Sequence, residues 1–392
     1  MKKVAAQLTV FTASVMSLLA FVLHWPCRNS GYIDGRFTSM CYSDIAALVA
    51  NPPLSSGDFP FAPTTSIDMA PLPALILWVI SKLSSDFITL VILAQLILVV
   101  AFFVLTYATS LQRAWRPMDA AVIASMPLWP LVMFVSMDLL SVTFVALSLA
   151  YWTRERFIYA GVFAGAALLC GAWSWVLLLA YFVDALRLAI RKELLQTCGI
   201  ASGAMVLGNL PVVLSGAPLI NWSSQPSDGG ILIVWRYAFG NEPKLANIIA
   251  TLGVFALFVV ARWAYRLPFD YRLETLLLLF VLIQLFTSPS IPPQSLVRLA
   301  WLVPLVFARR NAIISYGGIL VAYVLTVWLH LEGITEGAKG APDQAYALMC
   351  LIMLVTLGFM MYQVSIIMKV QGHDNVRQAM ARFINENHHA AR

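Results

Sequence analysis

Residues 71–83 read PLPALILWVISKL, and the sidedness of the whole chain depends on whether this segment crosses a bilayer. It is apolar, but it opens with Pro71 and Pro73, holds Lys82 and falls short of the ~20 residues that a span needs. Its length predicts an interfacial or re-entrant helix. Charge tests that reading. If 71–83 does not cross, 18 of the 25 Lys and Arg fall on the N-terminal side of the membrane. They include Arg113/Arg116, Arg154/Arg156, Arg191/Lys192, Arg262/Arg266/Arg272, Arg309/Arg310 and the tail from Lys369. If it did cross, each of these clusters would move to the outer side. The positive-inside rule therefore selects the non-crossing arrangement, with both termini cytoplasmic.

Composition agrees on the class. Hydrophobic residues are 60% of the 392 and charged ones 11%, with a mean hydropathy of +0.82. Soluble domains carry about a quarter charged residues. The expectation is an all-α polytopic membrane protein, because lipid leaves each backbone polar group to be satisfied within its own helix. A β-barrel would alternate in short strands instead of forming unbroken apolar runs. About twelve spans are predicted: 6–24, 87–110, 118–135, 139–152, 158–173, 174–190, 194–215, 245–264, 273–288, 296–308, 312–331 and 345–368. They form a single integral membrane domain over 1–392, with a first external loop at 25–86 and a cytoplasmic tail at 369–392. That tail is polar and reads as a short amphipathic helix or as disorder. The opening MKK and apolar run lack a clean small-residue cleavage site and read as a retained first helix.

The net charge of +6 does not point to nucleic acid, because the basic residues sit in short clusters between apolar runs. The chain has no Walker A motif, no GxGxxG after a strand, no internal repeat and no metal-ligand spacing. No cofactor is specified; a divalent cation stays open. Of the five cysteines, Cys170, Cys198 and Cys350 lie in apolar runs as small core residues. Cys27 and Cys41 share the first loop, where an oxidised pair or two thiols depend on the compartment.

Acids lean the other way from the bases. With this topology 11 of 19 face outward, including Asp34, Asp44, Asp58, Asp68, Asp86 and Asp138. Carboxylates contribute little to orientation, so the bias calls for another cause. Asp34, Asp58, Asp228, Glu332, Glu336 and Asp343 fit solvated loops. Asp44, in MCYSDIAALVA, stands where a short helix would start with Ser43 as N-cap, sharing a face with Ala47 and Leu48. It serves either the helix dipole or, as a general base, an acceptor hydroxyl. Asp138 and Asp68 offer a secondary acid for the acceptor, or merely a helix start. Arg298 lies inside an apolar segment, where an arginine either snorkels or meets a partner or an anion. Arg236, beside Trp235 and Tyr237, and His330 are the further candidates for binding a phosphate.

These pieces resemble a known family. CYSDI after a first span, PLPALILWVISKL, SMDLLSV at 136–142 and SPSIPPQSLVRLAWLVPLV at 288–306 are similar, in order and spacing, to segments of GT-C glycosyltransferases. They look most like the actinobacterial branch in glycosyltransferase family 87, which uses polyprenyl-phosphate sugars. The resemblance covers most of 36–308. It implies a GT-C fold, Asp44 as the catalytic acid residue of the first external loop and Asp138 at the second external turn. It also implies an external active site, a polyprenyl-phosphate sugar donor and a glycolipid or lipoglycan acceptor. Mannose is the first choice of sugar and arabinofuranose the second. This chain departs from the pattern at Ser136-Met137, where Asn-Trp is usual, and at Asp68-Met69-Ala70, where Glu-Tyr-Pro is common. It departs again at 170–175, CGAWSW, which replaces a Lys-containing turn. The rival readings are a transporter or flippase for a lipid-linked sugar and an inactive relative. Transporters favour repeats and mid-membrane charges, which are scarce here.

Overall fold

The computed structural model describes residues 2–32, 36–37, 39–51, 53–62, 67, 69–113, 118–216, 230–240, 245–267, 271–289, 291, 295–327 and 343–390, with side chains from Gln344 to Val370 in the last of these. Among the described residues the only regular elements are helices. Five are long and apolar enough to cross a membrane: Lys3–Leu23, Phe87–Gln112, Arg191–Leu214, Leu245–Arg266 and Gln344–Val370. Shorter apolar helices include Pro71–Ser81, Asp138–Trp152, Phe157–Cys170, Leu273–Phe286, Leu296–Val306 and Arg310–Leu325. The chain is a helical protein with membrane-spanning character.

In chain order the helices are α1 (Lys2–Leu23), α2 (Trp25–Asn29), α3 (Asp44–Ala50), α4 (Pro71–Ser81), α5 (Phe87–Gln112), α6 (Asp119–Ala124), α7 (Trp129–Val132), α8 (Asp138–Trp152) and α9 (Phe157–Cys170). After a short 3₁₀ turn, Ala172–Ser174, come α10 (Trp175–Leu188), α11 (Arg191–Leu214), α12 (Ile231–Phe239), α13 (Leu245–Arg266), α14 (Leu273–Phe286), α15 (Leu296–Val306), α16 (Arg309–Leu325) and α17 (Asp343–Ala390). One hydrophobic core runs through them, from Ala13 in α1 to Met368 in α17. Helix α8 is central. Nearly all of its side chains are buried between α5 and α9, which fits its lack of a polar face.

Small residues set the closest crossing. Gly161 and Gly165 lie four apart on α9, and α11 comes so near that a Cβ at Gly165 would stand 2.6 Å from the Ala204 Cβ. A Cβ at Gly161 would stand 2.7 Å from the Thr197 carbonyl oxygen. This is the small-xxx-small packing by which apolar helices gain dispersion contact without a hydrophobic drive. Hydroxyls tie neighbouring helices further: Ser148 and Tyr181 share a hydrogen bond of 2.7 Å, and Thr143 donates to the Ala101 carbonyl at 3.1 Å.

Helix α4 is too short to cross alone, at about 16 Å for its 11 residues. It packs on α5, α9 and α11, and Trp78 donates its indole N–H to the Gly57 carbonyl at 3.2 Å. Two expectations are corrected. The stretch 118–135 is not one continuous helix: it breaks between α6 and α7, because Pro127 and Pro130 lack an N–H to continue the helix. The carbonyls left over find side chains instead. Trp129 Nε1 donates to Ile123 O at 2.8 Å, and the Tyr323 hydroxyl to Leu131 O at 3.1 Å. The tail is neither disordered nor a separate short helix, since 369–390 continues α17.

Candidate functional site

The first loop is anchored at three places. Cys27 and Cys41 form a disulfide, joining α2 to the segment that leads into α3. Beneath it, Arg28 donates to Gln95 Oε1 of α5, and Gln95 donates to the Tyr32 hydroxyl at 2.9 Å. His24 Nδ1 lies 3.4 Å from that hydroxyl and is wholly buried. Burial, with the Arg28 charge nearby, lowers the His24 pKa to about 3, so this imidazole is neutral at ordinary pH.

The third anchor brings the acids together. Ser43 Oγ donates to the Phe134 carbonyl at 2.7 Å, and the Asp44 N–H donates to the Val135 carbonyl at 2.8 Å. These bonds hold the start of α3 against the segment that runs straight into Asp138. Ser43 has the extended backbone of an N-cap but does not cap α3, because its hydroxyl is used in this tertiary bond. Asp138 is the first residue of α8 rather than its cap.

Asp44 and Asp138 consequently line one cavity of about 610 Å³. Its other walls come from Ala47 and Leu48 of α3 and Asn51 just after it, Pro73 of α4, Cys170 at the end of α9 and Gly171 beyond it. The volume is in the range of small-molecule sites. The Tyr42 hydroxyl donates to Asp44 Oδ1, and its ring stacks on Phe37 at 5.4 Å. Burial first, then the Asp44 charge, pushes the Tyr42 phenol far above its ordinary pKa, which keeps it protonated and donating.

Arg298 enters from α15. Its Nη2 lies 3.3 Å from Asp138 Oδ2, and its guanidinium stacks on the Trp173 ring at 4.6 Å. The pair is only partly dry, with side-chain exposures of 14% for Arg298 and 24% for Asp138. Arg298 Nε and Trp173 Nε1 are buried N–H groups that meet no acceptor among the described residues. Gly171 is required where it stands, since a Cβ there would come 2.9 Å from the Trp173 ring.

The candidates divide accordingly. Asp44 and Asp138 share the cavity, and Arg298 joins them through its pair with Asp138. Arg236 does not: it is exposed on α12, which packs its Ile233 and Val234 on α17, away from the cavity walls. Asp68 and His330 lie outside the described residues, although Met69 and Ala70 line the cavity. Asp58 is exposed and accepts from Ser56 at 2.6 Å, as a solvated loop acid does. Among the described residues no group of His, Cys, Asp and Glu gathers as a metal site.

Sequence reading passed over Tyr42, Asn51 and Trp173. Trp173 left a signal in the Gly-Ala-Trp break between two apolar runs. Tyr42 left only its place two residues before Asp44. Comparison of the chain with protein-family models, curated proteins and solved structures finds no match.

Proposed function

We propose that this protein is a membrane glycosyltransferase, moving a sugar from a polyprenyl-phosphate donor to a glycolipid or polysaccharide hydroxyl. The observation that carries the reading is that Asp44 and Asp138 line one cavity, with Arg298, from a third part of the chain, paired to Asp138. The resemblance of CYSDI, SMDLLSV and the Arg298 segment to GT-C enzymes supports it. In this reading the chain has about twelve spans with a GT-C arrangement, and α4 lies along the outer surface. Both termini are cytoplasmic and the cavity faces outward.

Asp44 takes the proton of the acceptor hydroxyl as its oxygen attacks the anomeric carbon. The new C–O bond forms on the face opposite the phosphate, and the old sugar–phosphate bond breaks with its electron pair leaving on the phosphate. Polyprenyl phosphate is already a competent leaving group, so the paired acids of glycoside hydrolysis are not needed. Arg298, aimed by Asp138 and Trp173, stabilises the charge that develops on that phosphate. Its Nε–H and the Trp173 indole N–H supply donors for the same oxygens. Mannose is the favoured sugar.

The test is transfer from a radiolabelled polyprenyl-phosphate sugar to lipid acceptors in membranes holding the wild type or Asp44→Asn. The expected outcome is a loss of about 10²–10⁴-fold in Asp44→Asn with unchanged protein level. Equal transfer by both removes Asp44 from the mechanism.

A further inference from the structure

A second cavity, of about 840 Å³, lies at the far end of α5 and α15, with Arg113, Met126, Leu128 and Leu320 among its walls. Both of its arginines are engaged within the fold. Arg113 meets Glu274 at 3.5 Å and the Leu305 carbonyl, and Arg272 has a partner of its own. Hydrogen-bonding capacity to spare lies instead in the first cavity, at a residue the transfer step does not use.

That residue is Asn51. Asp44, Ala47, Leu48 and Asn51 follow one another at i, i+3, i+4 and i+7, so they share the face of α3 that walls the cavity. Seven positions at helical rise put Asn51 about 10 Å along the axis from Asp44. The acids stay at the Asp44 end, because the bonds from Ser43 and Asp44 to 134–135 bring Ser136 and Asp138 there. Between the two ends the wall is aliphatic, from Ala47 and Leu48 of α3 with Met69, Ala70 and Pro73.

Asn51 is held in place without using all of its side chain. Its backbone N–H donates to Leu48 O at 3.3 Å, and its carbonyl accepts from the Ser55 N–H at 3.2 Å. Nδ2 donates to Ala47 O at 2.7 Å, which satisfies a helix-end carbonyl and orients the amide. The second amide N–H and Oδ1 meet no partner among the described residues, and the residue is exposed. One donor and one acceptor side by side match a pair of neighbouring hydroxyls on a sugar ring.

We infer that Asn51 forms a second acceptor subsite, binding the sugar next to the one whose hydroxyl Asp44 deprotonates. The inference rests on the transferase reading and names the class of acceptor, a glycan of at least two sugars. A single ring seated at Asp44 does not reach Asn51 across two helical turns. Two linked rings do, with their C–H faces lying on Ala47 and Leu48, where burial of apolar surface favours them. Asp44 acts at one end of the acceptor and Asn51 measures its length.

The experiment uses the full chain in lipid nanodiscs free of glycoside detergent, with octyl mannoside and octyl dimannoside as probes. Binding is read by calorimetry and transfer from the labelled polyprenyl-phosphate sugar. Wild type should bind the dimannoside about tenfold more tightly, the size of one or two neutral hydrogen bonds. Asn51→Leu should bring the two probes to the same affinity, the loss appearing in KM for the dimannoside rather than in kcat. Asn51→Ser, which keeps a donor and an acceptor, should recover part of the preference. Equal affinity of wild type for both probes, with transfer intact, overturns the subsite alone. Equal weakening of both probes in Asn51→Leu, with a lower thermal midpoint, also overturns it and reduces Asn51 to a helix cap. A preference in binding with no transfer to either probe upholds Asn51 as a glycan subsite and overturns the transferase reading.

Discussion

The two ends of α15 use arginine for opposite purposes. Arg298 sits in a partly wet pair with Asp138, stacked on Trp173, with N–H groups to spare behind the cavity that Asp138 lines. Arg113 is almost fully buried, locked to Glu274 and to the Leu305 carbonyl, beside a cavity that is mostly apolar. Both residues are cations on the membrane helices. What separates them is the number of structural obligations each already meets. A cation with donors in reserve can recognise something that arrives. A cation with its partners built in holds the fold.

The sharpest way to break this contrast is to remove each arginine in turn. Arg113→Met strands the Glu274 carboxylate and a helix-end carbonyl in the interior. It is expected to cost about 3–5 kcal/mol, read as a fall in the thermal midpoint of the purified protein. Adding Glu274→Leu should recover most of that loss, because a buried ion pair replaced by apolar groups is near neutral. Arg298→Met should do the reverse. Sugar transfer falls by about 10²–10³-fold, while the midpoint barely moves, because Asp138 keeps access to water. A large stability loss in Arg298→Met with transfer intact per folded molecule would erase the distinction.

A smaller effect tests how the Asp44 end is tuned. The Tyr42 phenol stays protonated and donates to the Asp44 carboxylate, which favours its charged form. Tyr42→Phe removes that donor, so the acid limb of the pH–transfer profile is expected to move up. The plateau at high pH should change little. No movement of the limb would mean that Asp44 is not the titrating base.

The smallest effect at neutral pH belongs to His24. Its pKa in the fold is lowered to about 3, below the ordinary value, so the unfolded chain binds the proton first as pH falls. The stability it contributes is complete above the unfolded value of about 6.5 and is lost progressively as pH drops toward 3. His24→Phe should flatten that acid-side loss in a pH series of thermal midpoints and leave pH 8 nearly unchanged.

Much of the architecture was legible before any coordinates, for reasons of local composition. Apolar runs declare helices wherever the segment satisfies its own backbone, and the composition of 71–83 announced a short helix, Pro71–Ser81. The failures have equally local causes. Pro127 and Pro130 broke 118–135, yet apolar composition masked the break. The polar tail continued α17 as helix where its composition suggested a separate piece. Ser43 had the residue type and backbone of a cap, but tertiary structure took its hydroxyl.

Composition and charge order alone established the helical, membrane-spanning class and put Asp44, Asp138 and Arg298 among six candidates, with Asp68, Arg236 and His330. Those are properties of short segments, readable because hydrophobic burial and backbone satisfaction act within about twenty residues. The pinning of 43–44 onto 134–135, the Arg298–Asp138 pair across 160 positions and the second cavity at the far end of α5 and α15 belong to tertiary structure. Each depends on which helices pack together. That packing follows from side-chain shape, such as the glycines of α9, and not from any periodicity along the chain.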